Sequence, residues 1–125
     1  WFFGTNYSGA LFYEIVRPNE VAGGYVTVGI TYRLSSSPSL TYQFNTFATP
    51  HRLGVSRPPS VNVNVASSVF SSSVFLRTTV SFAAVDFFPA GTFGTELQIV
   101  PFTPPQSSPP DMTIVAIDVE YLDER

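Results

Sequence analysis

The stretch SVNVNVA, residues 60–66, alternates apolar and polar side chains without a break. Such a run hides one face and wets the other only if successive side chains point to opposite sides, as in a half-buried β-strand. A helix would scatter Val61, Val63 and Val65 around its circumference. The same period recurs along the chain. GYVTVGITYRL sets Val26, Val28, Ile30, Tyr32 and Leu34 against Thr27, Gly29, Thr31 and Arg33. SVFLRTTVSFA sets Val74, Leu76, Thr78, Val80 and Phe82 against Phe75, Arg77, Thr79 and Ser81. TIVAIDVEYL sets Val115, Ile117, Val119 and Tyr121 against Asp118 and Glu120. β-branched and aromatic residues dominate these runs, as pleated and partly buried surfaces prefer. Helical spacing is nearly absent.

Weaker strand signals lie in ALFYEIV, LTYQFNTF and ELQIV, with short ones near HRLGV and around VDFF. Between the strands stand RPNEVAGG, SSSPS, SRPPS, PAGTFG and TPPQSSPPD, which gather most of the eleven prolines. In connectors the fixed φ and missing donor of proline harm no ladder. TPPQSSPPD is too short to separate domains and precedes a strong strand, so it reads as a stiff surface loop. Residues 1–125 therefore read as a single all-β domain. The expected fold is an antiparallel β-sandwich of jelly-roll type with about eight or nine strands. The runs at 61–65, 74–82 and 115–121 are expected in its core. The chain starts WFFG, without Met, which suggests a piece excised from a longer protein. Trp1, Phe2 and Phe3 are expected to tuck into a first strand, because three solvated aromatics would invite aggregation.

Charge is sparse. Six arginines, no lysine and nine acids give a net charge of −3. Such a surface repels phosphate backbones, so no nucleic-acid partner is expected. No apolar run approaches the roughly 18 residues of a membrane helix, so no membrane insertion is expected. The absence of Cys rules out disulfides and thiolate metal sites. Ser and Thr are left to keep an exposed β-surface soluble, which reads as a display surface.

Candidate reaction chemistry is thin. A hydrolytic triad would need the lone His51, with Asp86, Asp111 or Asp118 to orient it, but no serine sits in a nucleophile elbow. His51, between Pro50 and Arg52, reads as a surface turn residue. Asp118 and Glu120 share a strand face, which marks the solvent side of a strand rather than a glycosidase pair. Calcium is the metal that the available hard ligands suit, from Asp86, Asp111, Asp118, Glu120, Asp123 and Glu124. No closed loop signature joins them, and the last segment reads as a solvated tail. Asn6–Ser8 matches a glycosylation sequon. Arg17 and Arg57, beside prolines, could hold an anionic glycan bidentately but read more simply as turn residues. No catalytic residue, cofactor or metal ligand is assigned, and the chain reads as a non-enzyme.

Twelve Phe, six Tyr and one Trp are more than a small core comfortably absorbs. Phe47 falls among Gln43 and Asn45, and Phe75 beside Arg77, on nominally polar faces. A strand apolar on both faces is central or lies under a partner. Self-association as a dimer or trimer is therefore expected, with Phe47 and Phe75 at the interface. The polar, proline-stiffened segments 35–38 (Ser35, Ser36, Ser37, Pro38) and 104–111 (with Gln106, Ser107 and Ser108) are expected as exposed loop tips.

In its texture, in GGYVTVGITYRL, FLRTTVSFAAVDFF and MTIVAIDVEYLDER above all, the chain resembles the protruding domain of a non-enveloped RNA-virus capsid protein. The nearest likeness is to nodavirus-like and tombusvirus-like coat proteins. The resemblance implies a jelly-roll spike on the virion surface that pairs or trimerises with its neighbours and meets a host receptor or glycan. The alternative is an extracellular carbohydrate-binding or adhesin-type sandwich.

Overall fold

The computed structural model describes residues 2–3, 9–35, 42–54, 61–67, 75–102 and 111–122. Among these residues lie eight strands and one helical turn: β1 (Phe2–Phe3), β2 (Leu11–Val16), β3 (Tyr25–Leu34), β4 (Tyr42–His51), β5 (Val61–Ser67), β6 (Leu76–Ala83), α1 (Ala84–Phe87), β7 (Gly94–Phe102) and β8 (Met112–Leu122). The chain is all-β, with two antiparallel sheets ordered β1-β8-β3-β6 and β2-β7-β4-β5, an arrangement compatible with a small β-sandwich. Because every neighbour is antiparallel, odd-numbered strands finish at one end of their sheets and even-numbered strands at the other.

The alternation of β3 decides what lies between the sheets. Val26, Val28, Ile30, Tyr32 and Leu34 are all buried, and the alternate Thr27, Thr31 and Arg33 are not. The second sheet answers with Phe44, Ala48, Leu97, Ile99 and Leu11. Tyr32 and Phe44 meet edge to face across the gap, ring centroids 5.1 Å apart. Burial of each such side chain contributes about 1.5–3 kcal/mol. Phe2 and Phe3 pair with Thr113 and Met112 as a first strand, while Trp1 lies outside the described residues.

Three details depart from the sequence pattern. The runs at 61–65 and 74–82, expected in the core, fall on the last strand of each sheet among the described residues, β5 and β6, and of the second run Val80 and Phe82 do lie in the core. The side chains of 61–67 and of Val74 lie outside the described residues. In β8, Thr31 faces Ala116 while Tyr32 faces Ile114, leaving Val115 as an extra residue, a β-bulge. The bulge flips the phase: Met112 and Ile114 point inward before it, and Ile117, Val119 and Tyr121 after it. Val115, expected inward, is 45% exposed.

The VDFF segment is helical rather than extended. Ala84 and Phe87, three apart on one side of the turn, are buried, while Val85 and Asp86 are exposed. The Ala84 N–H donates to the Gly24 carbonyl at 2.9 Å. Phe87 packs on Phe82 and Phe88, at 5.3 and 4.8 Å between centroids, so these three aromatics close one end of the core. HRLGV yields no separate strand among the described residues: His51 ends β4, and a turn follows through Gly54, with φ 72°. Pro50 and Pro101 lie inside β4 and β7, each one residue from the strand's end, where a missing donor matters least. No helix among the described residues is long and apolar enough to cross a membrane.

The bulge gives a direct test. Ile114→Ala should destabilise the fold by about 2–5 kcal/mol. Val115→Thr, one residue along, should stay within about 0.5 kcal/mol in urea denaturation; equal losses would show that Val115 faces the core.

Candidate functional site

Directly opposed residues of an antiparallel pair share a face, so strand register lays out the outer surface of the second sheet in rows. One row runs Phe12, Gln98, Phe47; the next runs Glu14, Glu96, Thr49; the last runs Val16, Gly94, His51. The inward residues between them, Tyr13, Ile15, Leu97, Ala48 and Thr95, fix this outward set.

Gly94 breaks the last row. It leaves a gap between Val16 and His51, and a Cβ there would stand 2.9 Å from the Ile15 carbonyl oxygen. The gap belongs to an open groove of about 370 Å³ lined by Glu14, Ile15, Val16, His51, Phe93 and Gly94. Phe93 is pinned by its backbone: its N–H donates to the His51 carbonyl and its carbonyl accepts from the Arg17 N–H, both at 3.0 Å. The ring stacks on the His51 imidazole at 6.2 Å and 25°, and keeps half its surface exposed.

The electrostatics of the groove are unusual. Glu14 and Glu96 stand directly opposite each other, a like-charge pair that costs stability on a sheet. Donor atoms of Glu14, Glu96 and His51 all lie within 4.8 Å of one another. The Nε2 of His51 is buried and has no hydrogen-bond partner. Two nearby arginines reach carbonyls: Arg17 Nη1 donates to Pro18 at 3.3 Å and Arg52 Nη2 to Ala90 at 2.9 Å. On the inward face of β2, burial raises the pKa of the Tyr13 phenol. Its neutral form is thus favoured on folding, and that contribution is lost as pH rises through the folded pKa. Chemically, the groove offers the Glu14 carboxylate and the His51 imidazole beside an exposed aromatic face. The Glu96 carboxylate adjoins them in the next row, and the set is suited to a cation or to hydroxyl donors.

The residues expected to matter are dispersed. Phe47 lies on this outer face, whereas Phe75 lies on the outer face of the other sheet, under the Arg33 guanidinium at 5.6 Å. Asp118 is also on that other face, paired with Arg77 at 2.7 Å across Gly29. Asp111 is held to Ser35 instead: the Ser35 N–H donates to the Asp111 carbonyl, and the Asp111 N–H to Ser35 Oγ, both at 2.9 Å. Ser35 and Asp111 therefore lie side by side, at the end of the sheet away from the groove. Ser36, Ser37, Pro38, Gln106, Ser107 and Ser108 lie outside the described residues, as do Asn6–Ser8, Arg57, Asp123 and Glu124. His51, read as a turn residue, is instead the last residue of β4 and meets glutamates rather than the three aspartates considered for it. Glu14 and Glu96 received no role from the sequence. Alternation in ALFYEIV and TELQIV marks both as outward; only the β2–β7 pairing makes them neighbours. No protein-family model, curated protein or solved structure matches the chain.

Two glycine substitutions separate backbone crowding from side-chain crowding. Gly94→Ala drives a Cβ against a backbone carbonyl and should cost about 1–3 kcal/mol. Gly29→Ala meets only the tips of Arg77 and Asp118, half-exposed side chains that can swing away. Its cost should stay below about 1 kcal/mol by chemical denaturation.

Proposed function

We propose that the chain is a binding and assembly module, the protruding domain of a non-enveloped RNA-virus capsid protein of nodavirus-like or tombusvirus-like type. On this reading it joins neighbouring subunits at the virion surface, contacts a host receptor or glycan, and performs no catalysis. The observation that carries it is the strand order. Eight strands in the order β1-β8-β3-β6 and β2-β7-β4-β5 fit two interlocked Greek keys, the jelly roll used by viral capsid and lectin domains. Architecture and a Lys-free, Ser/Thr-rich surface support this reading; no reaction site does.

Phe47 and Phe75 cannot share one two-fold patch from opposite outer faces. Phe75 is already partly covered by Arg33. Phe47 has Gln98 beside it and the exposed Phe12 one strand further in the same row. The self-contact is therefore assigned to the second sheet, where each such residue would meet the same row of its mate. The carbohydrate-binding alternative gains from Phe93, an exposed aromatic that lines a groove with the Glu14 carboxylate.

Sedimentation of the chain at micromolar concentration tests the assignment. The chain should associate, and Phe47→Ala should weaken association by about 2 kcal/mol, or roughly 30-fold in Kd. Phe75→Ala should change it far less. A chain that stays monomeric, yet binds neutral polysaccharides through Phe93, would replace the spike reading with the carbohydrate-binding one.

A further inference from the structure

We propose that Glu14, Glu96 and His51 form a binding site for one divalent transition-metal ion, with zinc as the fitting member of that class. The three side chains come from three adjacent strands, β2, β7 and β4, on one outer face. Each offers a donor atom within 4.8 Å of the other two. Donors around a tetrahedral zinc ion lie about 3.3 Å apart at ordinary bond lengths. Rotation of two glutamate side chains closes that difference without moving a strand.

Two independent features point to a cation here. Glu14 and Glu96 are opposed at the same register position, where like charges repel and a bound cation would turn repulsion into shared attraction. His51 also carries a buried, unpartnered Nε2, and an imidazole nitrogen without a hydrogen bond is free to offer its lone pair. The Phe93 ring stacked on the imidazole, anchored at both ends of its own peptide, holds His51 in place.

The donor set selects the metal. One nitrogen and two carboxylates suit zinc and its neighbours, whereas calcium demands six to eight oxygens that three side chains do not supply. Three protein ligands leave a tetrahedral ion one position for water or an exogenous donor, and the groove floored by Gly94 provides the access.

Titration of the full chain with zinc chloride, followed calorimetrically, tests the site. One ion per chain should bind saturably, and calcium chloride should give no comparable heat. His51→Ala and Glu14→Gln should each weaken zinc binding by at least about tenfold, while Asp118→Asn, an acid on the other sheet, should leave it unchanged. The native chain has no Cys, so His51→Cys supplies a spectroscopic control that does not depend on the alanine variant folding well. Loaded with cobalt, it should show a thiolate-to-metal absorption band that Glu14→Gln combined with Glu96→Gln removes. Absence of saturable zinc binding, or binding indifferent to His51 and Glu14, would overturn the proposal. The site shares the second sheet's outer face with the assigned self-contact, so sedimentation of His51→Ala and Glu14→Gln separates loss of the metal site from loss of association.

Discussion

The contact between Tyr32 and Phe44 ties the two sheets together, and the outer surfaces inherit their composition from it. Each ring belongs to a central strand, β3 in one sheet and β4 in the other, and each is wholly buried. Strand side chains alternate, so fixing these two inward settles the facing of every neighbour in register. A slip of one residue would bring Arg33 or Asn45 into the core and expel the rings, at a cost far beyond any turn preference. The outward placement of Glu14, Glu96 and His51 is thus a consequence of apolar packing on the other side of the same strands.

Two glycines show how one missing side chain serves different ends. At Gly29 in β3, its absence lets an arginine from β6 reach an aspartate on β8 over the top of the central strand. That pair is half exposed and contributes little net stability, yet it clips both neighbours of β3 together. At Gly94 in β7, the same absence opens a groove, and the nearby Ile15 carbonyl keeps the position from accepting a larger residue. The first glycine admits an ion pair; the second opens a groove.

The groove sits at an end of the sheets that is braced by several contacts. There α1 carries Phe87 into the core, the Thr95 hydroxyl donates to the Phe87 carbonyl, and Tyr121 Oη accepts from the Ala22 N–H while donating to the Gly23 carbonyl. Gly23 and Gly24, at φ 101° and 79°, allow the chain to turn there where other residues would be strained. A site on strand ends so held keeps its donors in place better than one carried on a loop. The opposite end is bracketed by the Ser35–Asp111 pair.

Alternation made the β-class and the inward set of β3 legible, because a period of two is a local property of each strand. It also marked Glu14 and Glu96 as outward, and Phe75 as standing opposite Leu76. It could not say that 61–65 falls last in its sheet among the described residues, since edge or centre depends on which strand lies beyond. Nor could it foresee the bulge at Val115, because TIVAI reads smoothly and the extra residue shows only against Tyr32 on β3. VDFF resembled a strand by composition, and became a helical turn because Gly24 accepts the Ala84 amide and the core end has room for Phe87. The candidate site lay furthest from view. Glu14, His51 and Glu96 are separated by 37 and 45 residues along the chain, and nothing local relates them. The sequence by itself determined which face residues take along regular strands such as β3, through side-chain periodicity. Only the tertiary structure decided which strands are neighbours, because pairing is a non-local choice made by burying one continuous apolar surface.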